Sequence, residues 1–387
     1  DMTMRGVRID LDKVERVRDG LLKREKEAHA QIKKIAGSAV EIWAAQSLAK
    51  AFDSVGIGYP KTEKGAPSFT KSFLKENEHA LAKLVVEARN LNKTSGTFIN
   101  SIMKHCHSDG RIHAHINQIR SDDGGTVSGR FSMSNPNLQQ IPANDPELGP
   151  LIRSLFLPEE GEQWAAIDFS QQEPRILTHY AHVYGQTRGI PLEGAAEFVA
   201  AYNNDPSTDF HTMVAEMANI PRKQAKTINL GMMYGMGVNK LSDQLDITVE
   251  EAKAIVKQYN TRVPFVKGLM TGVTNRLNDK SSGGSLRSLL GRKCRFDLWE
   301  PDTFAMNKAL PYKEAIDTYG ATTRLKRAFT YKALNRLIQA SAADMTKKAM
   351  VDIYKTGRLP MIQIHDEIAM SVKNVDEANE IAQIMIN

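Results

Sequence analysis

The sequence predicts a helix-rich fold of the α+β class, and three segments support that prediction. Residues 11–36 repeat apolar side chains every three or four positions among many charges, which is typical of a long amphipathic helix. Residues 164–167 form a short apolar run, typical of a buried strand, and residues 360–373 alternate apolar and polar side chains on both sides of a turn. These two patterns indicate strands of a small sheet in a mostly helical chain.

The first half of the chain is predicted to run from helices into a sheet. A second helix is expected over residues 71–91, after a turn-forming stretch. Residues 92–135 are polar and rich in glycine, with Asp109-Gly110 between alternating segments, as in a hairpin. Residues 136–160 contain five prolines and are expected to be loop-like.

The second half is predicted to be mainly helical until its end. Residues 206–280 have a helical pattern, with one helix starting at Asn219-Ile220-Pro221. Residues 281–330 show no clear pattern. Residues 330–356 predict another helix, which leads into the strand–turn–strand near the end of the sequence.

The composition limits the number of subdomains, the kind of partner and the redox compartment that are expected. The chain has 387 residues, 41% of them hydrophobic, which is enough for two or three subdomains. Its formal net charge of +6 favours a polyanionic partner only weakly. The two cysteines, Cys106 and Cys294, argue against a disulfide framework and for a reducing compartment.

The ends of the sequence and its hydropathy indicate where in the cell the protein is located. The first residues contain no apolar signal-peptide core, and no run of about 18 apolar residues occurs anywhere. We therefore expect a cytoplasmic protein with no membrane partner. The sequence stops at Asn387 within an apolar periodic stretch, so we expect a fragment boundary there.

Two acidic turns are the first candidates for a chemical site. Asp168 ends a predicted strand, while Asp366 and Glu367 lie in the turn near the end of the chain. If both segments share one sheet, Asp168 and Asp366 face each other, and adjacent carboxylates repel unless a proton or cation intervenes. Mg²⁺ binds a few carboxylates together with substrate phosphates, and two such ions can promote phosphoryl transfer.

Both turns also have simpler interpretations. Ser170 and Glu173 have the spacing of a capping box, in which Glu173 would bond back to the start of a helix. The turn around His365 is compatible with a solvated hairpin tip. Residue spacing alone leaves these alternatives open.

A third candidate is a stripe of side chains along one predicted helix. Arg222, Lys226, Leu230 and Tyr234 follow each other at steps of four residues, so they lie on one face. Their order of two cations, an apolar residue and an aromatic ring matches a nucleotide laid lengthwise, with its phosphates at the cations. The alternative is a solvated basic edge that runs into core residues.

These three segments resemble motifs A, B and C of the family A DNA polymerases, which include the large fragment of bacterial DNA polymerase I and many phage replicative enzymes. Further matching segments occur in the family's order: Gly6–Asp10, Lys64–Ser68, Thr126–Ser132, Pro136–Pro142, Leu290–Arg292 and Asn335–Asp344. The resemblance covers most of the chain. It implies DNA-templated transfer of deoxynucleotides to a primer 3′-OH, with release of pyrophosphate.

The resemblance also implies catalytic roles for matching residues. Asp168 and Asp366 would bind two Mg²⁺ ions, for which Mn²⁺ can substitute, with help from the Phe169 carbonyl. Glu367 would lie nearby in a lesser role. Lys226 would bind the triphosphate and donate a proton to the pyrophosphate leaving group.

Substrate contacts are implied in the same way. The nucleotide would be bound by His211, Arg222, Lys226, Leu230, Tyr234, Glu173 and Gln171. Glu173 would exclude a ribose 2′-OH while bonded to Tyr234, so this steric-gate interpretation competes with the capping one. The minor groove of the primer-template would meet Arg130, Asn137, Gln139, Asn335, Gln339 and His365. Lys93 and Thr94 would contact the duplex backbone.

The architecture implied by the resemblance is the right-hand polymerase fold of thumb, palm and fingers. Residues 1–120 would form the palm entry and helical thumb, and residues 121–200 the first part of a palm built on a small antiparallel sheet. Residues 201–330 would form the fingers, and residues 331–387 the second part of the palm, with a further segment expected after it. The partners would be primer-template DNA and deoxynucleoside triphosphates; the resemblance names no processivity partner.

Four positions depart from the family's pattern. Leu230 stands where Phe or Tyr is usual, Pro174 where Leu is usual, and Tyr331 and Asn144 where Arg is usual. None of them is an implied metal ligand. The departures, Leu230 above all, favour a viral source and hence the host cytoplasm.

Three other interpretations remain open at this point. A single-subunit RNA polymerase shares a two-aspartate palm, although Glu173 and the segment Thr126–Arg130 favour DNA synthesis. A module that binds primer-template without catalysis would keep only the shape. A zinc cluster is suggested by five side chains, although their spacing fits no standard finger: His105, Cys106, His107, His113 and His115.

Overall fold

The computed structural model describes residues 1–62, 64–119, 124–141, 145–245, 247–278, 282–303, 305 and 307–386. Asn144 and Pro142, which figure in the resemblance above, lie outside the described residues. No helix in the described ranges is both long and apolar enough to span a membrane.

Helices make up most of the described chain. They are α1 (Met2–Arg5), α2 (Leu11–Ala36), α3 (Ala45–Ser54), α4 (Lys71–Glu76), α5 (Ala80–Lys93), α6 (Asn100–His105), α7 (Leu148–Arg153), α8 (Gln172–Arg188), α9 (Ala195–Asn204), α10 (Phe210–Ala218), α11 (Arg222–Met233), α12 (Val238–Leu245), α13 (Val249–Arg262), α14 (Pro264–Asn278), α15 (Tyr312–Tyr319), α16 (Ala333–Lys355) and α17 (Val375–Ile386). A π-helical turn, Thr94–Ile99, joins α5 to α6.

Short antiparallel sheets complete the fold. The strands are β1 (Val7–Ile9), β2 (Arg111–Ile112), β3 (His115–Asn117), β4 (Ser132–Ser134), β5 (Phe156–Leu157), β6 (Gln163–Asp168), β7 (Ser285–Arg287), β8 (Lys293–Arg295), β9 (Leu298–Pro301), β10 (Leu310–Pro311), β11 (Leu325–Arg327), β12 (Ile362–Ile364) and β13 (Glu367–Val372). They pair in the orders β2-β1-β5, β12-β13-β6 and β10-β9-β11, with β3–β4 and β7–β8 as two-stranded pairs. The predicted helix-rich α+β class is confirmed.

The predicted helix at 71–91 is wrong in one respect, because the structure divides it. The chain leaves the helix at Asn77, whose backbone is extended. It re-enters at His79, whose ring nitrogen accepts a hydrogen bond from the Leu81 N–H at 3.1 Å and so caps α5. Polar residues that can bond to nearby backbone groups compete with helix continuation, which apolar periodicity does not show.

Two loop or sheet predictions also need correction. Residues 92–105, expected at the start of a sheet, continue the helix of α5 through the π-turn into α6, because Leu91, Ile99 and Ile102 are all buried on one side. The tight turn at Asp109-Gly110 is present, with Gly110 at φ 74°. The proline-rich stretch at 136–160 is not all loop, since it contains α7 and β5.

Separate hydrophobic cores divide the molecule. One core draws only on residues 28–88, between α2, α3, α4 and α5. A second combines residues 7–156 with Met361, Ile362 and Ala369. A third extends from residue 176 to residue 342. The second core therefore needs both ends of the chain, while the first is built from one continuous segment.

Candidate active site

The sheet β12-β13-β6 brings the two acidic turns together. Strands β13 and β6 run antiparallel with Glu367 opposite Asp168, and Asp366 lies in the preceding turn, where His365 has a φ of 57°. The prediction that both segments share one sheet is confirmed. Strand β6 is not the fully buried strand that was predicted: Ala165 is buried while Ala166 is exposed, as expected for an edge strand.

The electrostatics of this pair favour a bound cation. Asp168 is exposed at the strand end, but the surrounding protein displaces part of the water around its carboxylate. This desolvation, together with the negative charges of Asp366 and Glu367, raises the pKa of Asp168 to about 6. Burial also raises the pKa of Asp366. Two adjacent carboxylates repel each other when both are ionised. A divalent ion would stabilise their ionised forms, because carboxylate oxygens are hard ligands for such ions. The donor set therefore fits the metal implied by the resemblance.

In the described ranges, no group of three or more His, Cys, Asp or Glu is placed to hold a metal ion. His113 instead bonds through its two ring nitrogens to the Asp109 carboxylate at 2.9 Å and the Thr3 carbonyl at 2.8 Å. Asp168 and Asp366 thus offer a two-carboxylate site that would need a substrate to complete its coordination.

Glu367 has a partner that sequence reasoning missed. Arg153, at the end of α7, lies 3.3 and 3.4 Å from the two carboxylate oxygens of Glu367. The charge of Arg153 also lowers the pKa of Asp168, against the larger effects that raise it. The two residues are 214 positions apart, and no local pattern links them.

Glu173 is held by two groups, and neither is the helix start. Arg130 forms an ion pair with one carboxylate oxygen, and the Tyr234 hydroxyl donates to the other at 2.9 Å. Helix α8 begins after Gln171 without a side-chain cap, so the capping-box interpretation is wrong. The predicted bond between Glu173 and Tyr234 is present, and Arg130 faces Glu173 in this structure. Burial and the charge of Glu173 raise the pKa of Tyr234 to about 12.

The predicted stripe lies on α11 and at its C-terminal end. Pro221 precedes the helix, and Arg222 in its first turn donates to Asp209 at 2.7 Å and to Thr212 at 3.1 Å. Lys226 is exposed, and in the described part of the chain no hydrogen bond or ion pair engages its side chain. Leu230 is half-buried against the core of residues 176–342.

Two other predicted nucleotide ligands lie near α10. His211 is buried and its Nδ1 lies 3.0 Å from the Asn229 amide nitrogen, while burial lowers its pKa. Gln171 has a φ of 54°, and its side chain donates to the Thr208 carbonyl at 2.7 Å and accepts from the Phe210 N–H at 2.8 Å. Gln171 therefore anchors the start of α10.

The predicted minor-groove residues form two groups. Asn335 and Gln339 on α16 line a cleft of about 530 Å³ together with Tyr234. Below the acidic turn, the Gln139 amide donates to the side chain of buried Gln363 at 3.2 Å, and Gln363 in turn donates to the His365 carbonyl. The Asn137 side chain accepts from the Gln139 N–H at 3.1 Å and caps a 3₁₀ turn.

The predicted backbone contacts differ in exposure. Lys93 is exposed at the end of α5, whereas Thr94 is 4% exposed. The side chain of Thr94 is therefore enclosed by protein in this conformation, and its contact with the duplex backbone stays a prediction.

Arg292 is a second residue whose role sequence reasoning missed. Its guanidinium donates to Asp344 at 2.9 Å, to the Ser128 carbonyl at 2.8 Å and to the Ala340 carbonyl at 2.9 Å. Gly129, at φ 81°, lies against the same guanidinium, where a side chain would clash. Arg292 thus joins three of the segments that carried the family resemblance.

The described geometry is that of a sheet with two carboxylates, beside which Glu173 bonds to the tyrosine at the end of a helix that carries cations. Comparison with known families matches residues 11–387 to DNA polymerase family A. The chain therefore belongs to DNA polymerase family A. Members of this family use divalent metal ions.

Similar proteins come from phages and bacteria. The chain is 36% identical to a DNA-directed DNA polymerase of Pseudomonas phage M6, over 98% of this chain and 60% of the relative. It is 30% identical to DNA polymerase DpoZ of Acinetobacter phage SH-Ab 15497, over 99% of this chain and 62% of the relative. The thermostable DNA polymerase I of Thermus aquaticus is 28% identical over 99% of this chain and 43% of its own length.

A solved structure agrees with the fold. The polymerase domain of Pol1 from M. smegmatis, in complex with DNA primer-template and dNTP, is 25% identical with a TM-score of 0.73. The match covers 99% of this chain and 64% of that one. The chain thus spans less than two thirds of the length of these proteins.

Proposed function

We propose that this chain catalyses DNA-templated transfer of deoxynucleotides to a primer 3′-OH, with release of pyrophosphate. One observation carries the proposal: the pairing of β13 with β6 sets Asp168 beside Asp366, at the site that the family resemblance assigns to catalysis. Membership of DNA polymerase family A supports the reaction class. The dNTP and primer-template in the Pol1 complex are partners of that protein, and we propose the same partners here.

The proposed metal site consists of Asp168 and Asp366, with the Phe169 carbonyl as a further ligand. Two Mg²⁺ ions, or Mn²⁺ in their place, would supply Lewis acidity to the primer hydroxyl and to the departing pyrophosphate. Glu367 would keep a lesser role beside them, since Arg153 already engages its carboxylate.

The protein's own cations would bind the triphosphate. Lys226 projects from α11 into solvent, so it can meet a phosphate and give a proton to the leaving group. Arg222 would exchange its ion pair with Asp209 for a phosphate, at a modest cost because that pair is exposed. His211 and Leu230 would lie along the same face, and Gln171 would act by holding α10.

The remaining contacts concern the sugar and the duplex. Glu173, fixed by Arg130 and Tyr234, would occupy the space that a ribose 2′-OH needs. Asn335 and Gln339 would meet the minor groove from the cleft beside Tyr234. We further propose that Asn137, Gln139 and His365 support the primer end, and that Lys93 binds the duplex backbone.

The subdomains follow from the resemblance and the separate cores. Residues 1–120 would form the palm entry and thumb, residues 121–200 and 331–387 the two parts of the palm, and residues 201–330 the fingers. The core confined to residues 28–88 supports the thumb as a unit. Phage relatives support the host cytoplasm as the place of action.

Primer extension with Mg²⁺ tests the reaction and the metal pair. Asp168→Ala should reduce extension by at least about 10³-fold, because it removes one of the two carboxylates that hold the metal. Asp376→Ala, which removes an exposed carboxylate from α17, is the matched control and should leave extension unchanged. Comparable extension by the two variants would overturn the metal assignment.

The same assay separates the competing functions. A DNA polymerase extends with deoxynucleotides far better than with ribonucleotides, whereas an RNA polymerase shows the opposite preference. Wild-type chain that binds primer-template but extends it with neither nucleotide set, in Mg²⁺ or Mn²⁺, would establish the non-catalytic binding module instead.

A further inference from the structure

A buried chain of hydrogen bonds joins three helices behind His211. His211 on α10, Asn229 on α11 and Tyr259 on α13 are 8%, 1% and 0% exposed. The Tyr259 hydroxyl donates to Asn229 Oδ1 at 2.7 Å, and Asn229 Nδ2 lies 3.0 Å from His211 Nδ1. The residues of these two contacts are 30 and 18 positions apart, so the packing of the three helices is what brings them together.

The amide of Asn229 has a defined orientation because it serves two neighbours. An amide oxygen only accepts hydrogen bonds, and an amide nitrogen only donates them. With the oxygen facing Tyr259, the phenolic hydrogen has an acceptor. If the amide were turned over, its nitrogen would face Tyr259, and within the described residues the buried hydroxyl would have no other acceptor. A buried donor without a partner is costly, so the observed orientation is favoured.

The orientation of Asn229 fixes which ring nitrogen of His211 carries the hydrogen. Asn229 Nδ2 is a donor, so Nδ1 of the facing ring is the acceptor, and the hydrogen of the neutral ring lies on Nε2. In the described part of the chain no hydrogen bond engages Nε2, and this atom is not one of the buried polar atoms that lack a partner. Nε2 therefore keeps contact with solvent and is the donor that His211 offers to a ligand.

The surroundings of His211 favour the neutral ring. Burial lowers the pKa of His211, the charge of Asp209 opposes this change, and the charges of Lys226 and Arg222 lower the pKa further. Tyr259 also stays neutral, because burial raises its pKa. A neutral imidazole with its hydrogen on Nε2 attracts a phosphate oxygen, whereas the other tautomer would present a lone pair to it. The tautomer therefore decides whether the ring attracts or repels an anion.

We propose that Asn229 and Tyr259 are positioning residues that fix the Nε2–H tautomer of His211, so that the neutral ring donates a hydrogen bond to a phosphate of the incoming nucleotide. The identity of the ligand rests on the proposed function, whereas the tautomer rests on the contacts alone. Protonation of Nδ1 would bring two donors together, so the same contact also opposes the charged form of the ring.

The first test reads the tautomer from the ¹⁵N shifts of histidine-labelled chain without nucleotide, because protonated and unprotonated ring nitrogens have well separated shifts. His211→Gln identifies the signals of His211 by their loss. Above the pKa of His211, the wild type should carry hydrogen on Nε2 and none on Nδ1. Tyr259→Phe removes only the hydroxyl and frees the amide to turn over, so hydrogen should appear on Nδ1 and the pKa of His211 should rise.

Tyr180→Phe is the matched control, since it removes a hydroxyl that lies 2.8 Å from the Ser341 hydroxyl in the same core. It should leave the tautomer and the pKa of His211 unchanged. If Tyr259→Phe does not fold, Asn229→Asp gives the same comparison, because its carboxylate would accept from Nδ1–H. Hydrogen on Nδ1 in the wild type, or an unchanged tautomer in Tyr259→Phe, would overturn the proposal.

The second test measures the KM for deoxynucleotide in primer extension as a function of pH. Above the pKa of His211, Tyr259→Phe should raise KM about fivefold with kcat little changed, because part of the population loses the donor to the phosphate. At lower pH the charged ring carries hydrogen on both nitrogens, so the ratio of the variant KM to the wild-type KM should fall towards one. Damage to the packing alone would raise KM by the same factor at every pH.

A ratio of KM values that does not change with pH would therefore overturn the role of the tautomer at the phosphate. The NMR test needs neither nucleotide nor turnover. A chain with the expected tautomers that extends no primer would count against the proposed function and leave the assignment of the tautomer standing.

Discussion

Glu173 shows how one carboxylate can be given a single role by its neighbours. Its two oxygens are occupied by Arg130 and by the Tyr234 hydroxyl at 2.9 Å, and its side chain is 13% exposed. Held on both sides, the carboxylate has little freedom to change its position. The ion pair links Arg130 to Glu173 on α8, 43 positions later in the chain, and the hydrogen bond links Glu173 to Tyr234 at the end of α11.

Replacing Glu173 with Ala should raise ribonucleotide incorporation relative to deoxynucleotide by at least about tenfold, because the space for a 2′-OH opens. The measurement is the ratio of kcat/KM for the two nucleotides. Tyr234→Phe, which removes only the hydroxyl donor, should give a smaller change in the same direction. An unchanged ratio in Glu173→Ala would remove Glu173 from sugar selection.

Leu230 is a departure on the face of α11 that is proposed to bind the nucleotide. It is half-buried between Lys226 and Tyr234 on the stripe of α11. Leu230→Phe should change the ratio of dideoxy to deoxy incorporation about threefold or more, since a ring presents a flat face where the aliphatic chain does not. The dependence on Mg²⁺ should stay as in the wild type. Equal selection by both proteins would show that the departure is neutral.

At the scale of elements, one guanidinium bonds α16 to two other segments of the chain. Asp344 is 7% exposed and meets Arg292 at 2.9 Å, while its second oxygen has no hydrogen-bond partner among the described residues. The same guanidinium holds the Ser128 carbonyl. The segments around Ser128, Arg292 and Asp344 are therefore joined through one side chain.

Arg292→Ala should lower the free energy of unfolding by about 2–3 kcal/mol. Removing one partner of a buried pair costs about 3–5 kcal/mol, and the 37% exposure of the Arg292 side chain reduces that figure. Urea denaturation would measure the change. Arg324→Ala, which breaks an ion pair whose arginine is 89% exposed, should cost at most about 1 kcal/mol. Similar losses in both variants would show that Asp344 is solvated.

At the scale of the whole molecule, the cores predict unequal local stability. The core of the proposed thumb uses one continuous segment, residues 28–88, and centres on Phe52, whose ring lies 4.9 Å from that of Phe69. The core of the proposed palm needs residues from both ends of the chain. Regions with separate cores can open separately, so local unfolding should follow these boundaries.

Phe52→Ala should speed hydrogen exchange across residues 28–88 and leave the palm sheet protected, because a buried aromatic truncation costs about 3–5 kcal/mol where its core is. Exchange followed by mass spectrometry gives the comparison. Phe198→Ala, equally buried in the core of residues 176–342, should spare the thumb. Uniform loss of protection in either variant would mean that the molecule unfolds as one unit.

The sequence by itself determined the local parts of this protein. The spacing of apolar side chains predicted α2 at residues 11–36 and Asp168 at the end of a strand. It also predicted one helical stripe of Arg222, Lys226, Leu230 and Tyr234. Such predictions are possible because side chains repeat with the period of the helix or strand that holds them. Such spacing also suggested a capping box at Glu173, which the structure replaced with contacts to Arg130 and Tyr234.

Only the tertiary structure decided which distant residues meet. The register that sets Glu367 opposite Asp168, the pairing of Arg153 with Glu367, and the triple contact of Arg292 join residues far apart in the chain. Local patterns carry no information on such pairs, because their formation depends on how whole elements pack. The carboxylates of the candidate site were therefore predictable one by one, and the cations that hold and balance them were not.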